Sequence, residues 1–154
     1  MYYLVALIVA IALGGVYFFG FSGSVNERPF LVDHNKYEIK NKFLLLQQAY
    51  SSHLNYNYAT PTTAGWENEL SEYISIPAPV KDLTWSYDEN SGNEYFCLSG
   101  NLSSDIVYDA LKEIKTEYSN NRFFINTDCG ATVDFLTEPD LSTKPKVSAT
   151  YYIK

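Results

Sequence analysis

His34 and His53 are the only histidines in the sequence, Cys97 and Cys129 the only cysteines, and Glu67, Glu69 and Glu72 form a close run of carboxylates. Residues of these types can bind metals, move protons or do thiol chemistry, but their spacing argues against each use. The histidines fall near opposite ends of one helical pattern, about 28 Å apart at 1.5 Å per residue, too far to share a metal ion or a proton. Each reads as a surface residue. The glutamates stand at the start of a short helix, where acidic side chains complement the helix dipole without any catalytic role. The stretch "DENSG" (88–92) opens like a calcium loop with Asp88 and Asn90. Gly92 comes one position too early for that loop, and no bidentate glutamate closes it, so it reads as a turn. There is no nucleophile elbow, no glycine-rich phosphate loop and no Cys-x-x-Cys. The expectation is therefore no catalytic, cofactor-binding or metal-ligating residues, and a protein that is not an enzyme.

Composition narrows the field further. The net charge is −7, and no stretch gathers Lys and Arg, so nucleic acid would be repelled. Cys97 and Cys129 have no histidine close by in sequence, which argues against zinc. An even number of cysteines is expected to form a disulfide in an oxidising compartment, with two buried free thiols as the alternative.

The elements that would position these residues follow from periodicity. In "NKYEIKNKFLLLQQAYSSHLNYN" Ile39, Phe43, Leu46 and Tyr50 recur at helical spacing, Leu45, Ala49 and Leu54 widen the stripe, and Asp33 stands where an N-cap would be. "WENELSEYI" predicts a short second helix burying Trp66, Leu70 and Tyr73 or Ile74. "DLTWSY" and "NEYFCLS" alternate and flank a turn, as a hairpin does. A further helix over "SDIVYDALKEIKTEY" would bury Val107, Ala110, Leu111, Ile114 and Tyr118. "RFFINT" and "ATVDF" read as a second hairpin about Asp128, Cys129 and Gly130, and "KVSATYYIK" as a last strand. Strands in hairpins with helices between them predict an α+β domain, an antiparallel sheet packed against helices.

Met1 to Phe21 precedes all of this without a charged side chain, and would reach about 31 Å as a helix, enough to span a bilayer. A secretory signal would carry Lys or Arg where Tyr2 and Tyr3 stand. Residues 1–21 are thus expected to be a retained transmembrane helix, 22–33 a polar linker, and 34–154 a single domain. Arg28, Lys36, Lys40 and Lys42 follow the span and by charge bias favour a cytoplasmic domain, whereas the acidic, tyrosine-rich character and the cysteine pair favour the periplasm. The second is preferred, giving a single-pass inner-membrane protein with its domain in the periplasm.

The aromatic surplus, 14 Tyr, 9 Phe and 2 Trp, bears on what such a domain does. Trp66, Trp85 and Phe123 read as core. Tyr56 and Tyr58, where the long helix gives way to a loop, and Tyr152, on the polar face of a final and potentially edge strand, are the candidate interface residues.

An apolar N-terminus leading into a small α+β domain with two late cysteines is also the plan of a type IV pilin. A mature pilin carries an acidic residue at its fifth position, where this chain has Val5, and its first carboxylate is Glu27. In order of features, "FLLLQQAYSSHLNYN", "ISIPAPVKDLTW", "GNEYFCLSG" and "YDALKEIKTEY" behind the apolar N-terminus, the chain resembles the PilM family of type IVB and thin conjugative pilus operons. The resemblance implies a small inner-membrane protein of pilus biogenesis, with other pilus or secretion assembly proteins as partners and no catalytic residues or cofactors. A homo-oligomer is compatible with it, and a pilin-like or minor pilin subunit is the alternative.

Overall fold

The structure, a computed structural model, describes residues 26–80, 82–90, 92–118 and 121–153. The expected membrane anchor (1–21) lies outside the described residues, as do residues 22–25 of the expected linker (22–33), whereas residues 28–33 of that linker are helical. Among the described residues no helix is long and apolar enough to cross a membrane.

The elements run α1 (Arg28–Asn57), α2 (Trp66–Ser71), β1 (Leu83–Asn90), β2 (Asn93–Asn101), α3 (Asp105–Glu117), β3 (Phe123–Asn126), a single 3-10 turn (Leu141–Thr143) and β4 (Lys146–Tyr152). The four strands form one antiparallel sheet in the order β1-β2-β4-β3. This is the expected α+β class.

α1 starts earlier than the sequence predicts. Pro29 sits in the first turn, where its missing N–H would have no partner anyway, and the Leu31 N–H already donates to the Glu27 carbonyl at 3.0 Å. Proline initiates the helix here instead of breaking it. Asp33, expected as the N-cap, lies in the second turn and pairs with Lys36 at 3.0 Å. α3 follows its sequence signals closely: Ser104 caps it by accepting from the Val107 N–H, and Val107, Ala110, Leu111 and Ile114 are buried.

α1 and α3 lie against one face of the sheet, held along their exposed seam by ion pairs of Arg28 with Asp105 and Asp109, and of Lys36 with Glu113. Phe43 is the centre of the core. Its ring meets Trp85 edge-on at 4.9 Å, Phe123 edge-on at 5.6 Å and Tyr151 at 5.5 Å. The sheet contributes Leu83, Tyr87, Phe96, Leu98, Ile125, Val147 and Ala149 to the same core. α2 adds Trp66 and Leu70, both buried, while Tyr73 and Ile74 are half-buried beyond its end.

Two further expectations are corrected. The segment after β3 forms no strand. The Phe135 N–H meets the Ile125 carbonyl at 2.9 Å and the Asp134 carboxylate accepts from the Ile125 N–H at 2.9 Å, but residues 127–133 turn away across the sheet face opposite the helices. β4 is an interior strand, hydrogen-bonded to β2 on one side and β3 on the other, and the sheet edges are β1 and β3.

Candidate functional site

Cys97 and Cys129 are bonded, with Cα atoms 5.7 Å apart. Cys97 lies on the sheet face away from α1, in a row with Ser86 and Thr150, and the bond pins the 127–133 segment over that face. Hydrogen bonds continue the attachment: Gly130 N–H to Thr150 Oγ1 at 3.0 Å, Tyr152 Oη to the Gly130 carbonyl at 2.7 Å, Asn90 Nδ2 to the same carbonyl at 2.8 Å, and Ser148 Oγ to the Thr127 carbonyl at 2.9 Å. Gly130 adopts φ +75°, and a Cβ there would come within 2.7 Å of the Tyr95 hydroxyl, so glycine is required for the segment to lie this close.

Tyr152 belongs to this covered face and is no interface residue. It is 4% exposed and packs with Tyr95, Cys97 and Phe124. Alternation along "SATYY" correctly assigns Tyr152 to the face opposite Tyr151, but the pinned segment supplies that face with a cover of its own. Tyr152 and the other two candidates therefore lie on opposite sides of the sheet.

Tyr56 and Tyr58 are 75% and 90% exposed. Tyr58 closes α1 in the left-handed conformation (φ 55°), its N–H donating to the Leu54 carbonyl at 2.9 Å, which turns its side chain out of the helix register. Tyr56 stacks on Tyr73 with ring centroids 5.8 Å apart. Beneath them His53 is buried, contrary to its sequence reading as a surface residue. Its Nδ1 is 3.1 Å from Asn57 Nδ2, its Nε2 is 3.6 Å from Glu69, and its ring meets Tyr73 edge-on. Thr62 donates to Glu69 from both its N–H and its hydroxyl, and this holds the Glu69 carboxyl below the usual carboxylate range. His53 and Glu69 thus tie α1 and the loop after it to α2, beside the Tyr56–Tyr73 stack.

This cluster has a testable pH signature. A carboxyl whose folded pKa is lowered contributes stability above its unfolded pKa, near 4.3, and loses it as pH falls through the lowered value. In Thr62→Val the Glu69 carboxyl should titrate at higher pH than in the parent, followed by carboxyl-carbon NMR. An unmoved titration would mean that Thr62 does not hold it.

The outward face of α1 was not anticipated. Phe30 (74% exposed), Leu31, Tyr37 (58%), Leu44 and Leu45 all face solvent, while Val32, Ile39, Phe43, Leu46, Ala49, Tyr50 and His53 are buried behind them. Leu45, expected to widen the buried stripe, belongs to the outward one. The sequence did hold a signal, since α1 is apolar on two faces and a helix covering one sheet needs only one.

Two hollows of similar size lie elsewhere on the surface, one of about 350 Å³ lined by Asn93, Asn121, Phe124, Thr132 and Tyr152. The other, of about 370 Å³, lies between α1 and α3, lined by Arg28, Pro29, Val32, Asp109, Lys112, Glu113 and Thr116. Arg28 there pairs with Asp105 and Asp109, and Lys112 with Asp109 and Glu138, so these charges hold each other. Among the described residues no group of three His, Cys, Asp or Glu side chains is placed to bind a metal. The chain matches no family model, no curated protein and no solved structure.

Proposed function

We propose that this chain is a membrane-anchored assembly component of a type IVB-like pilus or secretion apparatus, held in the inner membrane by residues 1–21, with its domain in the periplasm, acting by docking to other proteins. The observation that carries the reading is the row of large apolar and aromatic side chains left in solvent along α1, ending in Tyr56 and Tyr58. Small soluble domains rarely expose such rows without a partner. The Cys97–Cys129 bond supports an oxidising compartment, and the order of sequence features supports the resemblance to the PilM family.

A pilin-like subunit is the second reading. α1, with its proline in the first turn, starts at Arg28, within the segment expected to be linker, and a helix that follows an apolar segment closely is the plan of a pilin.

The experiment is capture of partners by full-length protein after in vivo crosslinking, comparing the parent with a Tyr56→Ser, Tyr58→Asn double variant. Asn at 58 keeps the left-handed conformation, and Tyr152, being buried, is left alone. Capture should fall at least tenfold with an unchanged melting temperature, as expected for two exposed aromatic anchors. Unchanged capture would remove these tyrosines from the docking surface, and recovery of the chain in sheared filaments would favour the pilin-like reading.

A further inference from the structure

Between Phe30 and Gln48 the exposed residues of α1 are Phe30, Leu31, Asp33, His34, Tyr37, Glu38, Asn41, Leu44, Leu45 and Gln48. Phe30, Tyr37 and Leu44 recur every seven residues, as do Leu31, Glu38 and Leu45, and as do His34, Asn41 and Gln48 between them. A seven-residue repeat on one face is the period at which a helix presents a continuous seam to another helix, and polar side chains within such a seam fix register at a cost in stability. The core-facing stripe already serves the sheet, so this seam is additional to the fold.

We infer that the seam pairs with the same seam of a second copy of this chain, the two α1 helices running parallel. Three observations select this occupant. The polar positions are amide and imidazole side chains, which can hydrogen-bond to their own equivalents across a two-fold axis and are poor candidates for insertion into lipid. Of the charges at the seam, Glu38 is paired with Lys42 on its own helix, and Asp33 at its border shares Lys36 with Glu113 and Glu117 of α3. From Phe30 to Gln48 the seam runs about 27 Å. Two such faces would bury on the order of 1,000 Å² in total, the lower edge of a specific interface.

An interface of that size needs help, and the chain preceding α1 provides it. The apolar segment ends at Phe21 and α1 begins at Arg28. If that segment anchors the protein, two copies leave the same membrane face in the same direction within one short linker of it, which raises their effective concentration and sets the helices parallel. This part of the inference rests on the anchored reading above.

The test uses full-length protein in washed membranes, with single substitutions Tyr37→Cys, Leu44→Cys and, as an exposed control away from the seam, Glu72→Cys. Cys97 and Cys129 are bonded, so only the new thiol reacts. A short bis-maleimide should give dimer-mass product at least tenfold above the control for both seam positions, and Leu44→Asp added to Tyr37→Cys should abolish it with an unchanged melt. Product no greater than the control at both positions overturns the inference, as does a bimane on Tyr37→Cys that is quenched by brominated lipid, which would assign the seam to the bilayer. Product at only one of the two positions overturns the parallel arrangement. Alkaline extraction of the same membranes separates the two readings: a chain that washes off yet crosslinks at the seam overturns the anchor and supports the pairing, whereas a chain that stays without crosslinking does the reverse.

Discussion

Replacing Phe43 by alanine should cost the domain about 3 to 5 kcal/mol, the range for deleting a large buried aromatic ring. The ring is 1% exposed and touches an aromatic partner from β1, β3 and β4 at once, so the cavity it leaves is walled by three rings that cannot all move inward. Phe43→Leu should recover much of the loss because it refills most of the volume. Leu45→Ala, two residues along and facing solvent, should cost less than about 1 kcal/mol. Denaturant unfolding of the full chain in mild detergent measures all three. Similar losses at 43 and 45 would show that the two faces of α1 have been assigned the wrong way round.

Opening the disulfide should have the next largest effect. The bond closes a separation of 32 residues, for which the chain-entropy account gives roughly 3 to 4 kcal/mol. Native hydrogen bonds also depend on it, because the Gly130 contacts to Asn90, Thr150 and Tyr152 all lie beside Cys129. The Cys97→Ala, Cys129→Ala variant and the unsubstituted chain under reducing agent should therefore unfold at a similar, lower denaturant midpoint. Hydrogen exchange should quicken first at the Gly130 amide, before the amides linking β2 to β4. A reduced chain as stable as the oxidised one would mean that the 127–133 segment is held by its hydrogen bonds alone.

What could be read from the sequence, and what could not, divides along a physical line. Local signals were legible: the apolar stripe in "SDIVYDALKEIKTEY" located α3, and alternation in "DLTWSY", "NEYFCLS" and "KVSATYY" identified three strands and sorted their side chains between two faces. Alternation says which residues share a face, but not which strands are neighbours. Nothing local to β4 shows that it enters between β2 and β3. Nor does it say whether a polar face meets water, and Ser148 and Thr150, with hydroxyls bonded to the pinned segment, are as buried as the core. Tyr152 was misplaced for that reason. Residues 28–33 were assigned to the linker because a proline that ends one helix and one that begins another, as Pro29 does, look alike until the following turn is examined. His53 could be placed on α1 but not judged, since its cover comes from Tyr73 and Glu69, brought in by α2 and its flank.

The interior position of β4 also governs the order in which the domain can be completed. β1 and β2 form a hairpin joined by a tight turn, and α1 can gather against it early. β3, although it precedes β4 in the chain, has no strand beside it until β4 arrives. Val147, Ala149 and Tyr151 then fill the middle of the core face at the moment the backbone ladder closes on both sides. Because the keystone is the strand made latest, a nascent chain carrying everything up to β3 stays open, with pairings of long sequence separation still to be made. On the exported reading proposed above, that delay keeps the domain unfolded for its crossing. The chain remains threadable until nearly all of the described sequence has been synthesised, and it closes in a single late step.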